Sequence, residues 1–131
     1  YIVLIDLDNF KMINDYEGHN VGDKILCDFV SLLNKELINS TSIIRLGGDE
    51  FIVFLKNIPQ EAVCRNISSL LRKLSRTYEK GGKSVQITAS AGIALISNPQ
   101  TEFSEMYRMA DEALYQVKKE RKNGFRIYEE K

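Results

Sequence analysis

The sequence predicts a single α/β domain whose central sheet is mixed or antiparallel and flanked by helices, rather than doubly wound. Two strand-length apolar runs joined by a short glycine-containing connection are typical of a β-hairpin, which an all-parallel sheet does not contain. Segments of helical period lie between the strand-like runs. The predicted order is strand, helix, helix, strand, strand, helix, strand, helix, strand.

The first element, Tyr1–Leu7, is a continuous apolar run rich in β-branched residues and short enough to be a central strand buried on both faces. A short helix follows through Phe10 and Ile13, and Gly18 marks a turn. The next helix has an apolar stripe at Val21, Ile25, Leu26, Phe29, Leu32, Leu33 and Leu37.

Ser42–Leu46 and Phe51–Leu55 are predicted as the two strands of the hairpin, with an acidic tip. Pro59 occupies a first helical turn, and the helical pattern after it stops at Gly81 and Gly82. The apolar positions of this helix are Val63, Ile67, Leu70, Leu71 and Leu74.

Ser84–Ile96 alternates apolar residues with smaller or polar ones, which predicts a strand packed chiefly on one face, with Gly92 at a bulge. Phe125–Tyr128 is predicted as a closing strand. The helix between them has its apolar stripe at Phe103, Met106, Tyr107, Ala110, Leu114 and Val117.

Composition excludes several classes of function. The 131 residues contain 18 Lys and Arg against 18 Asp and Glu, so no basic excess is present to bind a nucleic-acid polymer or an anionic membrane. No apolar run approaches the ~20 residues that cross a bilayer. Cys27 and Cys64 lack metal or redox spacing and are predicted to be buried free thiols, which favours a reducing, cytoplasmic location. The start at Tyr1 indicates a domain cut from a longer polypeptide.

Acidic residues are concentrated where strands end. Five acids and one lysine lie in the first 23 positions. Asp6 at a strand end and Asp49 at the hairpin tip could converge on Mg²⁺, with the Leu7 carbonyl as a further oxygen ligand. The alternative is that Asp6 and Asp8 cap the next helix and that the Gly-Gly-Asp segment is only a turn.

Several spaced motifs together resemble one family. Residues 6–23 read DLDNFKMINDYEGHNVGD and residues 45–51 read RLGGDEF, and the text closely resembles the GGDEF family of diguanylate cyclases. The segments SAGIA at 90–94 and ADEALYQVK at 110–118 match in the same order. The resemblance therefore covers nearly the whole chain, residues 1–131, as one GGDEF domain.

The resemblance implies a palm-like, nucleotidyl-cyclase-like fold with a mainly antiparallel sheet and the signature on a hairpin. It implies condensation of two GTP into cyclic di-GMP and pyrophosphate, with one GTP held by each subunit of a homodimer. Asp6, the Leu7 carbonyl and Asp49 would hold two Mg²⁺ or Mn²⁺ ions, and Glu50 would bind metal or accept the hydroxyl proton.

The resemblance also assigns the substrate contacts. Asn14 and Asp23 match the guanine-reading pair, although a turn residue and a helix-start residue remain the alternatives. Gly47 and Gly48 would let backbone approach the phosphates and take positive φ.

Basic residues complete the predicted site. Lys118 and Lys122, on one face if the last helix persists, would bind the terminal phosphates, with Lys122 standing where the family has Arg. Lys11 would contact phosphate or pair with Asp15. His19 is interpreted as structural.

Two departures concern regulation. Residues 38–41 read INST where the family has its inhibitory Arg-x-x-Asp, so no feedback site is expected. The family's lead-in motif before the first strand is absent, which predicts a fragment lacking the segment that leads from a sensor or coiled coil. Two alternatives remain open: an inactive GGDEF module that binds GTP or a partner protein, and another metal-dependent nucleotidyl cyclase or polymerase-like palm.

Overall fold

A computed structural model describes residues 1–37, 40–80, 83–120 and 122–129. The elements in chain order are β1 Ile2–Asp8, α1 Phe10–Glu17, α2 His19–Glu36, β2 Ser40–Arg45, β3 Glu50–Leu55, α3 Gln60–Leu74, β4 Arg76–Lys80, β5 Lys83–Ala94, α4 Phe103–Glu120 and β6 Phe125–Ile127.

The strands form one sheet in the order β2-β3-β1-β5-β4, and β6 pairs with β5. Every pairing along the path is antiparallel, whereas β5 and β6 are parallel. The predicted mixed, mainly antiparallel sheet with flanking helices and a β2–β3 hairpin is confirmed. β1 lies in the middle because its run of apolar residues can be buried on both faces.

Alternate residues of β1 face opposite sides of this sheet. Val3, Ile5 and Leu7 belong to a large apolar core that includes buried residues of α2 and α3. Ile2 and Leu4 belong to a smaller core with Ala110 and Leu114 of α4 and their neighbours. The helices therefore form two layers, with α4 alone on the second face among the helices described here.

Gly92 has a packing role that differs from the predicted bulge. It lies in regular register, opposite Leu4 on one side and Arg126 on the other. A Cβ at this position would come within 2.1 Å of the Ala110 carbonyl oxygen and 2.5 Å of the Leu114 nitrogen. The absent side chain therefore lets the backbone of α4 lie directly on the sheet.

Three other predictions are wrong in part. β4 was not predicted, and it pairs with β5 over Arg76–Lys80 before the glycine pair. Ala89–Ala94 of β5 is buried throughout, on both faces rather than chiefly one. Cys27 is exposed and Cys64 half-buried, because Cys27 lies away from the buried stripe of α2.

A few predictions fall outside the described residues. These are the glycine pair Gly81 and Gly82, the first half of the 38–41 segment, and the packing of the His19 side chain.

Candidate active site

The predicted acids meet where β1 ends beside the hairpin. Asp6 and Glu50 are direct register partners in the antiparallel β1–β3 pair, so their side chains point to the same face, the one that α4 covers. The Leu7 amide donates to the Asp49 carbonyl oxygen at 3.0 Å, which joins the tip of the hairpin to the end of β1. The structure thus brings together four of the predicted site residues.

Asp6 lies in a partly buried environment. Its Oδ2 accepts a hydrogen bond from the Lys118 ammonium of α4, while Oδ1 is buried with no hydrogen-bond partner in the described residues. Burial raises the pKa of Asp6, the Lys118 ammonium opposes that rise, and the negative charges of Asp49 and Glu50 add to it. The Lys118 ammonium therefore compensates the charge of an ionised Asp6 only in part.

Glu50 is held from α4 by a residue that carried no motif signal. The Tyr107 hydroxyl donates to Glu50 Oε1 at 2.6 Å. This hydrogen bond to the carboxylate, together with burial, raises the pKa of Tyr107, so the phenol stays protonated and remains a donor. Sequence reasoning placed Tyr107 on an apolar stripe, and only its polar tip could have indicated a second role.

The hairpin tip is braced by its own arginine. Arg45 donates from Nε to the Gly47 carbonyl at 2.8 Å and from a terminal nitrogen to the Gly48 carbonyl at 3.0 Å. The Leu46 amide donates to the Glu50 carbonyl at 2.8 Å and closes the turn. Sequence reasoning left Arg45 without a role, although a guanidinium beside two small residues can reach their carbonyls.

Gly47 and Gly48 differ from the prediction in one respect. Among the described glycines only Gly18 has a positive φ, so neither takes the left-handed conformation that was expected. A Cβ at either position would meet nothing within 4 Å. The space above both residues is open, and it leaves their backbone accessible to a ligand.

The donor set suits a hard divalent cation in kind, since it consists of carboxylate and carbonyl oxygens around the buried, unpartnered Oδ1 of Asp6. Within the ranges that the structure describes, no three acidic, histidine or cysteine side chains already form a ligand cluster. The acids are instead engaged by the donors of Lys118 and Tyr107. Asp6, the Leu7 carbonyl, Asp49 and Glu50 are the groups that would hold Mg²⁺ or Mn²⁺.

The predicted guanine-reading pair lies on two successive helices. Asn14 is in α1 and Asp23 is the fifth residue of α2, exposed to solvent, so neither is a turn or helix-start residue. A Cβ on Gly22 would come within 2.2 Å of the Asn14 Oδ1. The small residue therefore lets the Asn14 amide lie against α2 at Gly22, the residue before Asp23.

The predicted phosphate-binding lysines differ in location and in hydrogen-bond partner. α4 ends at Glu120, so Lys122 is not on the helical face of Lys118; its φ is 55° and its ammonium donates to Asn9 Oδ1 at 3.3 Å. Lys118 is bound to Asp6. Lys11 is exposed and forms no ion pair with Asp15 in the described residues.

Asp8 anchors the loop after α4 instead of capping a helix. Its side chain is only 2% exposed and accepts hydrogen bonds from the Thr88 and Ser90 hydroxyls, both at 2.8 Å, and from the Asn123 amide at 3.1 Å. α1 has no side-chain cap. Asp8 therefore fixes the segment that carries Lys122.

A groove of about 670 Å³ lies between α4 and β6, and none of the predicted site residues lines it. The acids instead lie in a partly exposed position at the sheet end. We therefore place the candidate active site at the acids and not at the groove.

A family model described as "Diguanylate cyclase, GGDEF domain" matches residues 1–124. The chain belongs to this family of diguanylate cyclase domains, which serve cyclic di-GMP signalling in bacteria. Members generally depend on a divalent metal, bind GTP and work as dimers within longer proteins.

Curated relatives and solved structures agree with this assignment. The bifunctional diguanylate cyclase/cyclic di-GMP phosphodiesterase MucR of Pseudomonas aeruginosa is 31% identical over 98% of this chain. The cyclic di-GMP phosphodiesterase PdeR of Escherichia coli is 34% identical over 97% of it. The chain spans 19% of the length of each.

Among solved structures, the active GGEEF domain of a diguanylate cyclase from Vibrio cholerae superposes with a TM-score of 0.87 at 29% identity, covering 99% of this chain and 83% of that one. The palm-like fold is thereby confirmed. No helix in the described part of the chain is long and apolar enough to span a membrane.

Proposed function

We propose that this chain is a diguanylate cyclase domain that condenses two GTP into cyclic di-GMP and pyrophosphate, with one GTP held by each subunit of a homodimer. The observation that carries the proposal is the meeting of Asp6 and Glu50 as register partners beside Asp49, with the buried Asp6 Oδ1 unpartnered. GTP, a second copy of the chain and an upstream sensor or coiled-coil domain are the proposed partners.

Two Mg²⁺ or Mn²⁺ ions per active half-site, when bound, would supply Lewis-acid stabilisation of the triphosphate and lower the pKa of the attacking 3′-hydroxyl. Asp6, the Leu7 carbonyl and Asp49 supply oxygen ligands from the end of β1 and the hairpin. Glu50 is either a further ligand or the acceptor of the hydroxyl proton. The open backbone of Gly47 and Gly48 admits the phosphates.

Base selection is proposed for Asn14 and Asp23. A carboxylate accepts hydrogen bonds from both N1–H and the exocyclic amine of guanine, and adenine lacks that pair of donors. Asp23 is exposed, and the residue before it, Gly22, lies against the Asn14 amide, which supports contact of both residues with one base. This arrangement supports GTP rather than ATP as substrate.

Phosphate binding is proposed for Lys118 and Lys122 and for the exposed Lys11. Lys118 reaches the acids and Lys122 is held at the same end of the sheet by Asn9 and the Asp8-anchored loop. Ammonium groups here would offset triphosphate charge, although Lys122 cannot form the bidentate contact of an arginine.

A second candidate function is a GGDEF module that binds GTP or a partner protein without turnover. Two observations favour it: Lys118 donates to Asp6, one of the proposed metal ligands, and the relative PdeR is named a phosphodiesterase rather than a cyclase. In this case the chain would bind a GTP analogue yet form no cyclic di-GMP.

The deciding experiment incubates the chain with GTP and Mg²⁺ or Mn²⁺ at several protein concentrations and resolves products by chromatography. We expect cyclic di-GMP to rise more steeply than protein concentration, because two subunits contribute one substrate each. Binding of a non-hydrolysable GTP analogue without product would support the second candidate.

Asp49→Asn is the inactive control, since it removes a ligand charge while keeping the carbonyl that Leu7 uses. Glu61→Gln removes a carboxylate from the first turn of α3 and should leave turnover unchanged. Turnover by Asp49→Asn at the wild-type rate would contradict the metal assignment.

A further inference from the structure

Tyr107 of α4 lies outside the four sequence motifs, yet its side chain makes a polar contact with Glu50 of the signature. Its hydroxyl donates to Glu50 Oε1 across 57 positions of the chain. The ring packs beside the smaller core, and its centroid lies 6.2 Å from that of Phe103 in a tilted arrangement. Apolar packing therefore fixes the ring, and the hydroxyl adds only the bond to Glu50.

The distance between the sheet and α4, the helix that carries Tyr107, is set by close packing at Gly92. Gly92 allows the backbone of α4 to approach at Ala110, three residues after Tyr107. Lys118 on the same helix reaches Asp6, the register partner of Glu50. Two side chains of α4 thus donate hydrogen bonds to two neighbouring acids: Tyr107 to Glu50 and Lys118 to Asp6.

A glutamate side chain has three rotatable bonds, and a single directed hydrogen bond restricts them strongly. The Tyr107 hydroxyl takes Oε1 of Glu50, and no hydrogen bond to Oε2 occurs within the described residues. Resting on the proposed function, we propose that Tyr107 is a positioning residue that holds Glu50 with Oε2 presented to the divalent cation and GTP.

The proposal predicts a specific consequence of removing one oxygen atom. Tyr107→Phe keeps the packed ring and deletes the donor, so Glu50 is no longer held in one orientation. Partners that orient metal ligands typically contribute 10- to 100-fold in metal affinity. We expect the Kd for Mn²⁺ to rise about tenfold, at the lower end because a single hydrogen bond is lost.

The test is a calorimetric titration of Mn²⁺ into the chain with a non-hydrolysable GTP analogue present. Tyr115→Phe is the matched control, because Tyr115 lies on the same helix but is 62% exposed. We expect a weaker Mn²⁺ affinity for Tyr107→Phe and an unchanged one for Tyr115→Phe, with equal thermal unfolding midpoints. Wild-type affinity in Tyr107→Phe would overturn the proposal.

A double-mutant cycle provides a second, independent readout. In a Glu50→Gln background, Tyr107→Phe should cause no further loss of Mn²⁺ affinity, and an additional tenfold loss would mean that the hydroxyl acts elsewhere. Failure of the proposed function is seen separately, as Mn²⁺ and analogue binding without cyclic di-GMP. Absence of Mn²⁺ binding by the wild-type chain would overturn the Tyr107 proposal as well.

Discussion

The face of the sheet that packs on α2 and α3 is apolar along β1, whereas the face under α4 is apolar at one end of β1 and acidic at the other. Val3, Ile5 and Leu7 belong to the first face. On the second face, the buried Ile2 and Leu4 give way to the acids. At the end of β1, consecutive residues therefore alternate between the apolar core and the acidic face of the candidate site.

The signature shows the same division. Phe51 is buried against Phe29 on the α2 and α3 side, with ring centroids 4.8 Å apart in an edge-to-face arrangement. Its neighbour Glu50 faces α4 and receives the Tyr107 hydroxyl. A rigid apolar anchor one residue away is a general means of holding a functional carboxylate in place.

The largest effect on stability is expected on the apolar face. Phe29→Ala removes a fully buried ring that contacts Phe51 and should lower the free energy of unfolding by about 3–5 kcal/mol. Urea denaturation measures the loss. Phe103→Ala, at a half-exposed position on α4, should cost less than about 1 kcal/mol. Equal losses would remove the distinction between the two faces.

On the α4 face, Asp6→Asn should lower activity without lowering stability. We expect product formation to fall by about 100-fold or more, since the charge of a proposed metal ligand is lost. Because burial raises the pKa of Asp6, its ionised form opposes folding as pH rises through that pKa, so the variant should be as stable as wild type at neutral pH or more so.

Both properties of Asp6→Asn are measurable on one sample, by chromatography of products and by urea denaturation. Lys118 is about one-third exposed and can return to solvent when its partner loses charge. A loss of more than about 2 kcal/mol of stability would contradict the separation, because it would place Asp6 among the groups that hold the fold.

Gly92→Ala tests the close packing of α4 on the second face of the sheet. The added Cβ would meet the backbone of α4 at Ala110 and Leu114, so α4 must shift, at a cost of about 1–3 kcal/mol. Mn²⁺ affinity should fall with it, because Tyr107 and Lys118 move with the helix. Thermal unfolding and calorimetry check both effects.

Gly47→Ala is the control, since its Cβ meets nothing within 4 Å and unfolding should be unaffected. A stability loss in Gly47→Ala as large as that in Gly92→Ala would contradict the close-packing interpretation.

The smallest effect is expected at the surface link between α2 and α3. Glu36 accepts hydrogen bonds from Lys73 at 2.5 Å and Ser69 at 3.0 Å, and these lower its pKa. The stabilisation is present above the ordinary glutamate pKa of about 4.3 and is lost as pH falls through the lower folded value. Glu36→Gln should be slightly less stable at neutral pH.

Urea denaturation of wild type and Glu36→Gln in high salt and at low pH checks the contribution of Glu36 to stability. The difference between wild type and Glu36→Gln should shrink in high salt and vanish at low pH, as expected for a surface ion pair. A difference that persists in acid would show that the link depends on packing rather than charge.

The elements predicted correctly have a local signal. β1 and the hairpin strands are short apolar runs, the helices have periodic apolar stripes, and the acids of the candidate site were identified from their place at a strand end and a turn. β4 has no such pattern: Arg76–Lys80 is mostly polar, and it is a strand because β5 pairs with it. Cys27 was misplaced because an apolar helix segment was treated as uniformly buried.

The spaced motifs by themselves determined the family and the identity of the candidate ligands, and the apolar runs determined the central strand and the hairpin, because those properties follow from neighbouring residues. Only the tertiary structure decided which groups donate hydrogen bonds to the acidic side chains. Tyr107 is 57 positions from Glu50, Lys118 is 112 from Asp6 and Asn123 is 115 from Asp8. Sequence periodicity reports which face of an element is apolar, whereas contacts over such separations depend on how closely α4 packs on the sheet, which Gly92 sets.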